Sequence, residues 1–142
     1  MWLAGRHRIP TASPIGPVDA VRPTGAVALA AVSDLAMSVE RGLGSGITSQ
    51  LMGGRPTQYP DRYAAGSPAE LLPLGGRTVL VHGEADTVVP VEMSRHYLQL
   101  ATALGDGADL ITLAGAGHFD LIDPRSWVYP TVRDAVRTAL GV

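Results

Sequence analysis

Cysteine is absent from this 142-residue sequence, which excludes a disulfide framework, a thiolate metal site and a thiol nucleophile. Lysine is absent too, and all eleven basic residues are arginine. With the abundant Ala and Gly, we take this as GC-rich coding, not function. No excess of one charge exists: the net charge of -2 gives no electrostatic case for nucleic acid or an anionic membrane as partner. Long apolar runs are missing, since no segment reaches the roughly 20 residues needed to span a bilayer. The start, Met1-Trp2-Leu3, runs at once into Gly5-Arg6-His7-Arg8 and has no signal-peptide core. A cytoplasmic location is therefore the expectation. What is present is a 46% apolar content, ample for the core of one domain.

The most legible stretch runs from Val79 to Pro90. The apolar, β-branched run Val79-Leu80-Val81 stops at His82-Gly83 and is followed by Asp86 and Pro90. A continuous run of this kind suits a strand covered on both faces, as in a parallel sheet. Asp86 then lies beyond the strand's carboxyl end, the rim where open α/β sheets collect ligands and chemistry. Two further runs read as strands, Ala26 to Val32, ending at Ser33-Asp34, and Asp109 to Leu113, ending at Gly115-Ala116-Gly117-His118.

Between them, Met93, Tyr97, Leu100 and Leu104 fall at i, i+4, i+7 and i+11, one helical face, with Glu92 in the first turn and Gly105 as the stop. Pro130 suits the first position of a last helix with an inner stripe of Val132, Ala135, Val136, Ala139 and Leu140. The pattern from Ser38 to Gly54 is weak and glycine-rich, with one short helix expected around Ile47, Leu51 and Met52 before Gly53-Gly54. Pro56 to Pro73 reads as loop with one or two helical turns. Met1 to Ala4 reads as the last turn of a helix, and the prolines and glycines from Ile9 to Pro23 as loop. The strand-helix alternation predicts an α/β fold, a parallel sheet of about three strands with flanking helices.

Asp86 and His118 are separated by one strand-helix-strand unit, so both loops are expected at the same rim of neighbouring strands. An Asp bonded to Nδ1 of a His fixes the tautomer and leaves Nε2 as general base and acid. His82 reads as structural, a ring packed at the strand's end; His96 and His7 read as solvent-facing. The Gly42 to Gly46 run lacks the ending of a P-loop and reads as loop.

The motif His82-Gly83-x-x-Asp86-x-x-Val89-Pro90, followed one helix later by Gly115-Ala116-Gly117-His118, resembles the carboxyl-terminal half of the α/β-hydrolase fold. Esterases, lipase-like enzymes and prolyl oligopeptidase-like serine peptidases are the nearest in pattern, with Ser67-Pro68 and Phe119-Asp120 adding to the likeness. The resemblance implies a serine hydrolase of ester or peptide bonds, with Asp86 as the triad acid and His118 as the triad base and no cofactor or metal. Asp34, at the end of the preceding strand, is the alternative acid. Asp123 before Pro124 reads as a turn or cap residue.

The family's chain order is nucleophile, acid, histidine, and its nucleophile sits in G-x-S-x-G. No serine here has that pattern. Ser45, within Gly42-Leu43-Gly44-Ser45-Gly46, comes nearest, and Ser94 is the other serine to test. The expectation is a chain covering the second part of a hydrolase domain over 1–142, with 1–8 the end of the post-nucleophile helix, 9–25 a loop and 26–140 the strand-helix units. It is then inactive alone. The alternatives are a non-catalytic remnant or interaction domain and, less well supported, a flavodoxin-like binding module. A sheet of three strands also leaves a bare edge, so self-association is expected. Geometrically, Asp86 should approach His118 Nδ1 within about 3.5 Å, with Asp34 farther away.

Overall fold

Val79, Leu80 and Val81, at 1%, 0% and 0% exposure, form the axis around which the chain packs. The computed structural model describes residues 1–13, 15 and 22–142. Positions 14 and 16–21, within the loop expected over 9–25, lie outside the described residues. Three strands, β1 (Gly25–Leu29), β2 (Arg77–Gly83) and β3 (Ala108–Leu113), lie in chain order with β2 central. Both pairings are parallel, with Gly25 opposite Arg77, Thr78 opposite Ala108 and Gly83 opposite Leu113. Because side chains alternate along a strand, β2 feeds two cores. Val79 and Val81 pack with Ala116, Leu121, Val128, Val132 and Ala135. Leu80 packs on the other face with Tyr97, Ala101, Leu71, Leu72 and Leu74. Each such Val or Leu contributes about 1.5–3 kcal/mol by leaving water, which explains why the run is continuous.

The helices are α1 (Trp2–Gly5), α2 (Leu35–Glu40), α3 (Ile47–Met52), α4 (Pro60–Gly66), α5 (Glu92–Ala103) and α6 (Tyr129–Leu140). The α5 helix begins with Glu92, as expected, but its buried face is Met93, Ser94, Tyr97 and Ala101. Leu104 lies at the C-cap, 53% exposed, because the helix ends before it can turn inward. In α6, Val132 and Ala135 are buried and Ala139 half-buried, while Val136 and Leu140 are exposed. The stripe there is narrower than predicted, since α6 covers only β1 and β2 from one side. Pro130 occupies the second helical position, after Tyr129.

Two regions depart further from the expected pattern. The first strand ends at Leu29, three residues early, because Ala30 takes a left-handed conformation with φ 42° and turns the chain out of the sheet. The region Ser38 to Gly54 holds two helices in place of one. Asp34 starts α2 four residues before the expected region by accepting from the Met37 N–H at 2.9 Å, an ordinary N-cap. Left-handed conformations at Gly42, Gly44, Ser45 and Gly46 separate α2 from α3, and Gly53 (φ 80°) ends α3 as expected. The Ser38 and Thr48 hydroxyls, 2.8 Å apart, tie these helices together. The one or two helical turns expected between Pro56 and Pro73 are α4, on which Trp2 Nε1 anchors α1 by donating to the Ala65 carbonyl. Among the described residues no helix is long and apolar enough to cross a membrane.

Candidate active site

The loops after β2 and β3 are stitched together before any side chain is considered. Glu84 N–H donates to the Leu113 carbonyl at 2.9 Å and Ala85 N–H to the Ala116 carbonyl at 3.0 Å. Gly83 permits this approach, because a Cβ there would collide with the Ala116 carbonyl. Gly115, at φ 76°, makes the turn that bends the second loop back toward the first. The parallel strands and these two bonds set Asp86 beside His118.

Asp86 Oδ2 lies 2.7 Å from His118 Nδ1, inside the 3.5 Å expected. The other oxygen, Oδ1, accepts from the N–H groups of Val88 and Val89, each at 2.8 Å. The Asp86 side chain is 0% exposed and that of His118 26%. Burial by itself works to raise the Asp86 pKa, but the Val89 N–H, the His118 ring and the Val88 N–H, with the charge on His118, together outweigh it. The carboxyl is thus held below its ordinary range and stays ionised as an acceptor. A carboxylate can only accept, so Nδ1 of His118 carries the hydrogen, leaving Nε2 with a lone pair in the uncharged ring. Among the described residues nothing hydrogen-bonds that Nε2. Phe119 stands edge-on to the ring, centroids 5.2 Å apart.

Asp120 gains a role that the sequence pattern does not assign to it: its Oδ2 accepts from the Gly117 N–H at 2.8 Å and fixes the backbone just before His118. The available signal was an aspartate three residues after a loop glycine, a local side-chain-to-backbone pattern. Asp123, expected as a turn residue, accepts from the Arg125 N–H at 2.9 Å. The alternative acid, Asp34, is elsewhere: besides capping α2 it lies 3.6 Å from His96 Nε2. His96 is thus half-buried against a carboxylate and not simply solvent-facing, and His7 is likewise held, its Nδ1 3.0 Å from the Ala4 carbonyl. His82 is fully buried, as a structural ring should be.

Among the described residues no serine hydrogen-bonds His118. Ser94 is 0% exposed and 2.7 Å from His82 Nδ1. Ser45 is exposed and strained at φ 52°, but it follows a glycine turn, whereas the elbow follows a strand. The Ser67 hydroxyl, also buried, accepts from the Leu35 N–H. Two cavities lie apart from the pair. One, about 660 Å³, is at the other end of the sheet between Gly75, Arg77, Asp106 and Asp109. The second, about 640 Å³, lies between Trp2, Leu35, Leu51 and Met52. Neither includes Asp86 or His118.

No family model and no curated protein sequence matches the chain. Solved structures do. A truncated carbohydrate esterase from gut microbiota superposes with TM-score 0.72 at 17% identity, covering 98% of this chain and 55% of that one. An acetyl ester-xyloside bifunctional hydrolase from Caldicellulosiruptor lactoaceticus gives 0.67 at 21%, covering 99% and 52%. Dipeptidyl peptidase 4 of Porphyromonas gingivalis gives 0.62 at 18%, covering 80% and 15%. The chain thus spans about half the length of the first two and a small part of the third. At these identities the likeness is one of fold. Three parallel strands with helices on both faces, superposing on esterases and a peptidase, give residues 1–142 a partial α/β-hydrolase fold.

Proposed function

We propose that Asp86 and His118 are the acid and general base of a serine hydrolase acting on ester or peptide bonds, its nucleophilic serine supplied from outside residues 1–142. The observation that carries this is the 2.7 Å contact between a buried carboxylate and Nδ1 of a ring whose Nε2 is unengaged among the described residues. In the reaction, Nε2 takes the serine proton as its oxygen attacks the substrate carbonyl. The imidazolium then returns that proton to the leaving group, and water repeats the cycle on the acyl-enzyme. Asp86 keeps the ring in one tautomer and stabilises its transient charge. The likeness to esterases and a peptidase supports the same reading.

Supporting a serine from elsewhere, no serine here carries the elbow pattern, and none among the described residues hydrogen-bonds His118. The family's oxyanion hole draws one N–H from the residue after the nucleophile, so that donor is supplied with it. Losing the nucleophile costs about a million-fold in turnover. Residues 1–142 alone are therefore expected to leave p-nitrophenyl acetate at background. A longer chain, or a co-expressed upstream fragment bearing G-x-S-x-G, should hydrolyse it, and His118→Ala should abolish that activity. Fluorophosphonate-sensitive hydrolysis by 1–142 alone would refute the external serine and direct attention to Ser45. If the longer form is also silent, the non-catalytic interaction domain is the better reading. Both β1 and β3 are outer strands of the described sheet, and β-edge pairing is the proposed route of self-association. Light scattering that finds only monomer would count against it.

A further inference from the structure

His82 leaves β2 on the same face as Leu80 and Thr78, one residue before the strand ends, and its ring is 0% exposed. Nε2 lies 2.9 Å from the Val89 carbonyl. A carbonyl only accepts, so the hydrogen sits on Nε2, and Nδ1 takes the Ser94 hydroxyl hydrogen from α5 at 2.7 Å. The same Nε2 is 3.5 Å from Asp86 Oδ2, the oxygen that accepts from His118. Oδ2 is thus flanked by two imidazoles, while Oδ1 holds the N–H of Val89, the residue whose carbonyl His82 grips. A leucine would fill this space without the cost of burying polar nitrogens, and it would leave the Val89 carbonyl without this donor.

We propose that His82 is a positioning residue for the Asp86–His118 pair. By clamping the Val89 carbonyl it holds the turn from Asp86 to Val89 closed, and because Oδ1 is tied to the N–H of that same Val89, the closed turn keeps Oδ2 in one position for His118 to bond. Ser94 sets the angle of the His82 ring. The catalytic consequence rests on Asp86 and His118 being acid and base; the positioning itself does not, and is measurable in the 142-residue chain.

The test is proton NMR in water. A His118 Nδ1–H held by a buried carboxylate exchanges slowly and resonates downfield of the amide envelope, and His118→Ala assigns it by its loss. Three variants follow. His82→Gln places an amide donor where Nε2 sits, His82→Asn places one only as far as Nδ1, and His82→Leu offers none. The resonance should persist in His82→Gln and broaden beyond detection in His82→Asn and His82→Leu, with sheet amide signals retained. The Gln and Asn variants keep the comparison decisive if His82→Leu does not fold. A resonance indifferent to all three overturns the positioning role alone, as does equal behaviour of Gln and Asn. A wild-type chain lacking the resonance overturns the pairing of Asp86 with His118, and the positioning role with it.

Discussion

The loops after β1 and β2 each place an aspartate beside a histidine, and only one of them makes a hydrogen-bonded pair. Asp34 gives Oδ1 to the Met37 N–H, capping α2, and its Oδ2 is 3.6 Å from His96 Nε2, beyond hydrogen-bond reach. Asp86 gives Oδ1 to two N–H groups of its own turn and Oδ2 to His118 at 2.7 Å. Backbone donors therefore occupy one oxygen in both cases. The difference lies in the second oxygen: His118 arrives on a loop stitched to the Asp86 loop, whereas His96 sits on the side of α5 and meets Asp34 only loosely. Side-chain exposure follows suit, 13% for Asp34 and 34% for His96 against 0% and 26% for the other pair. A strand-end aspartate becomes an anchor for a ring only where the next strand's loop brings that ring to it.

The largest effect that would break this contrast is on turnover. In an active longer chain, Asp86→Asn should lower kcat by about 10⁴-fold, because the amide offers the wrong hydrogen to Nδ1. Asp34→Asn, which keeps the cap, should change it by less than about tenfold. Similar losses in the ester assay would make the two aspartates equivalent and cancel the distinction. Next in size is the stitching itself. Gly83→Ala should cost about 1–3 kcal/mol as its Cβ meets the Ala116 carbonyl. Gly107→Ala, with nothing within 4 Å of the added carbon, should change the urea midpoint little. Equal midpoints would mean that the two loops can separate without penalty.

Smaller again is the cap. Asp34→Ala should destabilise by about 1 kcal/mol and Asp34→Ser should restore most of it, seen in thermal melts. The smallest expected effect is the pH dependence contributed by Asp86. Its folded pKa lies below the ordinary 3.8, so its stabilisation is complete above that value and is lost as pH falls through the folded one. The stability gap between wild type and Asp86→Asn should therefore be widest near neutrality and close in acid. Urea melts showing a gap independent of pH would contradict the sign.

Much of this was legible because β2 is buried on both faces: an uninterrupted Val79-Leu80-Val81 leaves no side for water, which suits an inner strand, and it places Asp86 by itself. His118 followed from one crossover's length. The region from Asp34 to Gly66 was less so, since its helices are six or seven residues long, too short to display a full apolar stripe. The cap that Asp34 makes on α2 is a single local contact, and the expected strand over Ala26 to Val32 ran almost up to it. Ala30 broke that strand by adopting a conformation rare for a residue with a Cβ. The Asp120 contact and the His82–Val89–Ser94 contacts depend on loop shape, which no periodicity reports.

The two halves of the Asp86–His118 pair are 32 residues apart in the chain, whereas the turn that fixes Asp86 closes within three. Closing a loop of that larger size costs about 3 kcal/mol of chain entropy, recovered only as β3 docks. The acid's turn is a local structure that can form early, and the base must arrive with an outer strand. Fraying of β3 would carry the imidazole away while leaving the carboxylate's turn intact, so the lifetime of the assembled pair is set by the local opening of the strand at the sheet's margin and not by global unfolding. Hydrogen exchange of the Ile111 and Leu113 amides, which face β2, is accordingly the clock against which that lifetime can be read.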